Sequence, residues 1–309
     1  MARLPELCPG PPPAAPLQFG PVTLVPGRKG GRYPYCHSLV LTGEETWVVD
    51  PASDQDYLRT LARSRRVTRV FISHFHEDHL KYHHLFPEAT FHVPQAEAAA
   101  FASLAAVFEL MGLTDRRFRD YWGQTLKKEF RFPPLNPLIP YAPGERFQTG
   151  GLTLEVVPAA GHTPGHSCFH FPRQGVLYLA DVDLTPFGPW YGDLASDLDA
   201  FEETLVRLGR IQACTYLTAH EQGVFDYQGF QAGLAYFQAV IRDREERLRA
   251  ALAVPQSLPQ LVARQLIYPK WKEPLFVYEH MEAQMLMKHL ARLRKQGAVE
   301  ETPLGYQAV

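Results

Sequence analysis

Residues 74–79 read HFHEDH and crowd metal-capable side chains into six positions. The stretch contains His74, His76, Asp78 and His79. It follows VTRVFIS (67–73), whose β-branched and aromatic residues predict a buried strand. Any one of these histidines alone would be read as a core residue, but four metal-capable side chains together are harder to explain by packing. Because imidazole and carboxylate groups bind zinc, iron and manganese, the stretch predicts a metal centre at a strand end.

The order H-x-H-x-D-H resembles the signature of the metallo-β-lactamase superfamily of hydrolases, in which a His, an Asp and a last His follow later in the chain. Three further segments match in the expected order. They are AAGHTPGHS with His162, LYLADVDL with Asp181 and YLTAHEQ with His220. VVDPAS, with Asp50, resembles the early strand and turn of the family. The resemblance covers about residues 20 to 226.

The resemblance implies a centre of two divalent metal ions. It assigns the first ion to His74, His76 and His162, the second to Asp78, His79 and His220, and the bridging position to Asp181. Asp78 and Asp181 are therefore the candidate catalytic residues. Two such ions would share a water, lower its pKa and direct the hydroxide at an electrophilic carbon or phosphorus. Zinc is the expected metal, with iron and manganese as alternatives.

Several residues beside these segments have two interpretations. Asp50 orients a ligand histidine or forms a buried turn. His166 has a structural role in its strand or a hydrogen bond to a ligand. Asp183 lies two positions after Asp181, but Asp181 follows the apolar strand directly and is the preferred bridge. For three further histidines, a surface or loop position is the default expectation: His83, His84 and His92.

The segment DLTPFGPWYGD (183–193) follows the proposed bridging aspartate and is rich in aromatic residues and glycine. Since this segment must run near the metals, Phe187, Trp190 and Tyr191 are predicted to line a substrate pocket. Aromatic core packing is the alternative for the same three residues.

Composition excludes several classes of protein. The 309 residues are 46% hydrophobic and 21% charged, with a formal net charge of −2, so nothing indicates a nucleic-acid or membrane partner. No apolar run approaches the roughly 20 residues of a membrane helix, and no signal peptide is evident, so the expected location is cytoplasmic. The four cysteines form no CxxC pair, which argues against disulfides and against a cysteine zinc site.

Strand and helix patterns alternate along the chain, and together with the resemblance they predict an α/β protein with the four-layer αββα metallo-β-lactamase fold. Residues 1–19 are expected to form a proline-rich N-terminal arm, and residues 20–227 the catalytic domain. Within that domain, residues 95–143 are expected to form a helical insertion. Residues 228–309 are predicted to be a C-terminal helical appendage, similar to the winged-helix tail of some lactamase-like proteins.

The predicted activity is hydrolysis of a small ester-like or thioester-like molecule. The alternative is a metal-dependent endoribonuclease that cleaves single-stranded RNA, for which Arg292, Arg294 and Lys295 would contact phosphates. The same cations also suit the C-terminal end of a helix, where they interact favourably with its dipole. A third interpretation is a protein that keeps the fold and metal for structure or binding alone. The sequence leaves the oligomeric state open.

Overall fold

The computed structural model describes residues 10–132 and 135–309. Residues 1–9 of the predicted N-terminal arm and residues 133–134 of the predicted insertion lie outside the described residues.

Seven strands form the first sheet, and they lie side by side in chain order. They are β1 (Leu17–Phe19), β2 (Val22–Val25), β3 (Ser38–Thr42), β4 (Thr46–Val49), β5 (Val67–Phe71), β6 (Thr90–Pro94) and β7 (Leu138–Tyr141). The strands β1 to β4 pair antiparallel, whereas β4 to β7 pair parallel. The parallel part therefore brings the carboxyl ends of β4, β5 and β6 to one edge of the sheet.

The second sheet contains six strands. They are β8 (Arg146–Thr149), β9 (Leu152–Pro158), β10 (Ser167–Phe171), β11 (Val176–Tyr178), β12 (Thr215–Leu217) and β13 (Val224–Phe225). Their spatial order is β13-β12-β11-β10-β9-β8, and only the β11–β12 pair is parallel.

Helices cover the outer face of each sheet. The first sheet is covered by α1 (Gln55–Ser64), α2 (Leu104–Met111) and α3 (Arg116–Glu129), and the second by α4 (Leu198–Leu208), α5 (Tyr227–Ala251), α6 (Leu258–Val262) and α7 (Leu275–Lys295). Short 3₁₀ helices lie at Arg28–Gly31, Glu77–His79, His83–Leu85, Gln95–Phe101 and Pro172–Gln174. A hairpin of β14 (Val299–Thr302) and β15 (Gly305–Ala308) follows α7.

The alternation of side chains along the strands explains the layers. In β3, Leu39 and Leu41 face the second sheet and Val40 faces the helices. In β10, Phe169 and Phe171 face the first sheet and Cys168 packs on the opposite side. Both sheets are thus apolar on two faces, and the predicted αββα architecture is confirmed.

The range predicted as a helical insertion differs in detail from the structure. Within residues 95–143 the helical part is divided, because Ser103 caps α2, Gly112 ends it in the left-handed conformation (φ 73°), and Asp115 caps α3. The same range also contains β7, which pairs with β6 at the edge of the first sheet. Likewise, β1 lies within residues 1–19 and pairs with β2, so that part of the predicted arm is a sheet edge.

The C-terminal helices share one hydrophobic core with the second sheet and α4. Phe237, Leu248 and Met285 belong to the same cluster as Leu179 and Phe201. Residues after 227 therefore complete the fourth layer and do not enclose a core of their own. Among the described residues, no helix is long and apolar enough to cross a membrane.

Candidate metal centre

The residues of the predicted centre come from loops at one edge of the two sheets. His74 and His76 follow β5, and Asp78 and His79 lie in the short helix Glu77–His79. The other three come from the second sheet: His162 lies between β9 and β10, Asp181 lies after β11, and His220 lies after β12. The topology thus brings together residues up to 146 positions apart in the chain, from position 74 to position 220.

Three imidazole nitrogens converge in the first group of donors. The Nε2 atom of His74 lies 3.0 Å from Nδ1 of His76 and 3.2 Å from Nε2 of His162. The distance from Nδ1 of His76 to Nε2 of His162 is 3.0 Å. The Asp181 carboxylate completes this group, whose donor atoms all lie within 4.8 Å of one another.

Asp78, His79 and His220 form the second group, and their donor atoms also lie within 4.8 Å of one another. Asp181 lies between the two groups. Its Oδ1 atom is 2.9 Å from Nε2 of His79 and 3.2 Å from Nε2 of His220. Its Oδ2 atom instead faces the first group, 3.4 Å from Nε2 of His162.

The donor set fits divalent metal ions. Ligands about 2.0 Å from a tetrahedral ion lie about 3.3 Å apart, close to the nitrogen separations of the first group. In addition, Nε2 of His79 and Oδ1 of Asp181 are buried and lie 2.9 Å apart, but their contact lacks hydrogen-bond geometry, and neither atom makes a hydrogen bond to any other described residue. Such unpaired buried atoms are costly unless a ligand satisfies them.

Burial and neighbouring charges set the protonation of these groups. Burial lowers the pKa of His74 and of His162 well below the usual imidazole value, which favours the neutral, metal-binding form. Burial alone would raise the pKa of Asp181. The charges of His79 and His220 outweigh this effect and hold the pKa of Asp181 well below its usual range.

His79 and His220 each have a second ring nitrogen, which faces away from the centre and contacts a group on the first-sheet side of the protein. Nδ1 of His79 lies 2.9 Å from Oδ2 of Asp50, and Nδ1 of His220 lies 2.5 Å from the Gly31 carbonyl oxygen. The Asp50 carboxylate also accepts hydrogen bonds from the Tyr178 hydroxyl at 2.9 Å and from the Ser73 amide at 2.8 Å. Asp50 therefore fixes the orientation of the His79 ring.

The first group has its outer partners in the segment after β11. Nδ1 of His162 lies 2.9 Å from the Trp190 carbonyl oxygen, and Nε2 of His76 lies 2.7 Å from Oδ2 of Asp193. Asp193 is only 1% exposed. Sequence analysis missed Asp193, because nothing near position 193 shows that its partner is His76.

A second missed residue is Glu97, which is 1% exposed. Its Oε2 atom accepts from the Phe75 amide at 2.8 Å and its Oε1 atom from the Gly165 amide at 2.6 Å. It thereby joins the loop of His74 and His76 to the loop of His162. Burial raises the pKa of Glu97 to about 7. Its alanine-rich surroundings predicted a helix and gave no signal of this role.

The aromatic residues predicted to line a pocket have different positions. For Tyr191 the prediction is wrong, because the residue is fully buried in the core and its hydroxyl lies 2.7 Å from Nε2 of His289. The Trp190 ring lies 5.3 Å from the His76 ring, at the edge of the centre. Phe187 packs 5.0 Å from the Tyr268 ring. For Trp190 and Phe187 the pocket role stays a prediction.

Two of the three histidines expected at the surface or in loops are buried, and His84 is half-buried. His83 is buried with Nδ1 2.7 Å from the Leu80 carbonyl oxygen, and His92 is buried against Phe71. The expected surface position is therefore wrong for both, because the 3₁₀ helix and β6 turn them towards the core. His166 combines its two predicted roles: its Nδ1 lies 3.0 Å from the Ala159 oxygen, and its Nε2 accepts from the backbone amide of the ligand candidate Asp181 at 3.0 Å.

With this fold and donor set, the chain belongs to the metallo-beta-lactamase superfamily, whose family model matches residues 33–220.

A curated relative, the hydroxyacylglutathione hydrolase of Hahella chejuensis, is 26% identical over 251 residues, which are 80% of this chain and 82% of the relative. In three other hydroxyacylglutathione hydrolases, the matched part spans only 19%, 42% and 41% of the relative's length. The chain therefore spans less than half the length of these three relatives.

Solved structures show the same fold. A metallo-beta-lactamase family protein from Thermus thermophilus superposes with a TM-score of 0.69 at 23% identity, covering 94% of this chain and 99% of that protein. A beta-lactamase domain protein from Burkholderia ambifaria gives a TM-score of 0.68 at 19% identity, covering 96% of this chain and 95% of that protein. The fold of these proteins thus extends over the C-terminal helices as well.

Proposed function

We propose that the chain hydrolyses a small thioester at a centre of two divalent metal ions. The observation that carries this proposal is the position of Asp181, whose two oxygen atoms face the two donor groups separately. His74, His76 and His162 would hold one ion and Asp78, His79 and His220 the other, with Asp181 between them. When bound, the two ions lower the pKa of a water and stabilise negative charge on the substrate oxygen.

The chain's own residues prepare this centre. Neutral His74 and His162 offer their ring nitrogens as donors, and the Asp181 carboxylate stays ionised. Asp50 and Asp193 hold the rings of His79 and His76 in place. Because the donors are fixed before substrate arrives, little reorganisation is needed during the reaction.

The names of the curated relatives support a thioester as substrate. Water would add to the acyl carbon, the carbon–sulfur bond would break, and the products would be a carboxylic acid and a thiol. Other small esters are the neighbouring class, since they react through the same attack on a carbonyl carbon.

Each of the three cations that would serve an RNA substrate is paired with an acidic side chain, although only Arg292 is buried. Arg292 is 9% exposed and lies 2.6 Å from Glu245. Arg294 lies 2.8 Å from Glu301, and Lys295 lies 3.6 Å from an Asp199 oxygen. These pairs leave less positive charge for phosphates, so the proposed substrate is a small molecule and the endoribonuclease interpretation is not favoured.

Zinc is the proposed metal, because three imidazole nitrogens 3.0 to 3.2 Å apart suit its tetrahedral coordination, with iron and manganese as alternatives. The cytoplasmic location stays a prediction from the sequence.

The test is hydrolysis of S-lactoylglutathione, a lactone, an aryl phosphodiester and a single-stranded RNA by the purified protein. We expect the thioester to be cleaved fastest and Asp181→Ala to lose at least about 100-fold in kcat/KM. Asp120→Asn is the control, because Asp120 lies in α3 and its side chain is 65% exposed. This control should stay within a few-fold of the wild type.

Cleavage of RNA in preference to the thioester would contradict the proposed substrate class. Equal activity of the wild type and Asp181→Ala would contradict the proposed centre.

A further inference from the structure

The loop of residues 185–196, called here the support loop, holds both outer partners of the first donor group. Nδ1 of His162 lies 2.9 Å from the Trp190 carbonyl oxygen, and Nε2 of His76 lies 2.7 Å from Oδ2 of Asp193. The orientation of two of the three proposed histidine ligands of the first ion therefore depends on where this loop lies.

The orientation of the histidines in the second donor group does not depend on the support loop. The outer partners of His79 and His220 are Asp50, directly after β4, and the Gly31 carbonyl oxygen. Both lie in the segment that precedes α1. The two halves of the centre thus rest on different parts of the protein.

The C-terminal helices hold the support loop in place. Arg244 of α5 is 3% exposed, and its guanidinium donates to the Pro189 carbonyl at 2.6 Å and to the Phe187 carbonyl at 2.7 Å. Lys288 of α7 donates to the Asp193 carbonyl at 2.5 Å.

Side chains of the support loop bind the same helical region. The Trp190 indole donates to the Tyr268 hydroxyl at 2.5 Å, and the Tyr191 hydroxyl lies 2.7 Å from Nε2 of His289. The bonds from Arg244 and Lys288 come from charged donors, and such bonds to backbone carbonyls are stronger than neutral ones. Without these donors the buried carbonyls would be left unsatisfied, which is costly. Residues 187–193 of the loop are thus held by residues after position 227, whereas the amides of Leu194 and Ala195 donate to the carbonyl oxygens of Met111 and Leu110.

We propose that the C-terminal helices are a positioning element for one metal site: acting through the support loop, they set the metal affinity of the His74, His76 and His162 group alone. Asp193 is the positioning residue that carries the effect to His76. The inference rests on the proposed function, because it takes His76 and His162 as metal ligands. It goes further by making the two sites unequal in their dependence on residues 227–309.

The test is a titration of the metal-free, full-length protein with Zn²⁺ against a chromophoric chelator, which resolves two stepwise dissociation constants. Asp193→Asn keeps the size of the side chain but removes its charge. We expect it to weaken one binding event by about 10- to 100-fold, the usual effect of removing an outer partner of a ligand histidine. Lys288→Met should weaken the same event by about 10-fold, with the other event within about 2-fold of the wild type.

Two controls separate this effect from a general loss of structure. Asp50→Asn should weaken the opposite binding event, because Asp50 orients His79. Lys295→Met removes the same charge from the same helix at a side chain that is 80% exposed, and should change neither constant. Far-UV circular dichroism checks that each variant is folded.

A wild type that binds two ions, together with unchanged constants in both Asp193→Asn and Lys288→Met, would overturn this inference and leave the proposed function intact. Equal weakening of both events in these variants would also overturn it. Binding of fewer than two ions by the wild type would overturn the proposed function itself.

Discussion

Glu97 is a buried carboxylate whose two oxygens each accept a backbone amide hydrogen, from Phe75 and from Gly165. Replacing it by Gln would place an amide NH₂ against one of these donors. Since an unsatisfied buried polar group costs about 1 to 3 kcal/mol, we expect Glu97→Gln to lower the free energy of unfolding by that amount. Urea denaturation measures it. Exposed Glu88 supplies the control, and Glu88→Gln should change the value by less than about 0.5 kcal/mol.

His92 makes stability sensitive to acid. Burial lowers its pKa to about 4, from 6.5 for a free imidazole. Between these two values the unfolded chain binds more protons than the folded one, so stability falls as the pH falls from about 6.5 to 4. Between pH 7 and pH 5, the free energy of unfolding of His92→Phe should fall by about 1 to 2 kcal/mol less than that of the wild type. The free energies of unfolding are measured by urea denaturation. An equal loss between pH 7 and pH 5 in the wild type and in His92→Phe would contradict the assigned protonation state.

The order of residues in the sequence predicted the ligand candidates better than the residues that orient them. The spacing of His74, His76 and Asp78 indicates a candidate metal site without any knowledge of the fold. Asp193 carries no comparable signal, because its contact with His76 joins positions 117 residues apart and arises only when both sheets have formed. Tyr191 was misjudged because an aromatic residue near a site can equally face the core.

The close packing of α4 depends on one glycine, Gly161, in the loop that carries His162. Gly161 has φ 132°, which L side chains rarely adopt, and a Cβ atom there would lie 2.3 Å from Cα of Phe201. Gly161→Ala should therefore push α4 away and destabilise the protein by at least about 2 kcal/mol.

The matched variant is Gly209→Ala at the end of the same helix. There φ is −60°, and a Cβ atom would meet no atom closer than 3.4 Å. It should change the free energy of unfolding by less than about 1 kcal/mol. Equal effects of the two variants in urea denaturation would contradict the close packing of α4 on the loop.

The elements that sequence patterns predicted well are those with clear periodicity. The runs SLVLT, TWVV and VTRVF became β3, β4 and β5, because alternating or continuous apolar residues suit strands covered on both faces. The short β7 was missed, since LIPY contains a proline and pairs only at the edge of the first sheet.

In the whole molecule, the second sheet and the C-terminal helices share a single hydrophobic core. A chain ending at residue 226 would expose Leu179, Phe201 and the rest of this apolar face to water. We expect such a chain to aggregate or to lose cooperative unfolding, as judged by size-exclusion chromatography and thermal denaturation. A soluble, cooperatively folding fragment would contradict the single shared core. Sequence patterns placed the boundary near residue 228, but could not show that both sides share one core.

Metal removal should also act on the whole molecule. A ligand that binds only the folded state at 1,000 times its dissociation constant stabilises it by about 4 kcal/mol. Dialysis against a chelator should therefore lower the Tm, and Zn²⁺ should restore it. An unchanged Tm would argue that the buried histidines and aspartates hold no ion.

The central claim, two metal ions held by two named groups of side chains, is tested most directly by anomalous diffraction from crystals grown with Zn²⁺, recorded on both sides of the zinc absorption edge. We expect two peaks about 3.5 to 4 Å apart. One should lie against His74, His76 and His162, the other against Asp78, His79 and His220, with Asp181 between them. A single peak, or peaks away from these side chains, would contradict the account.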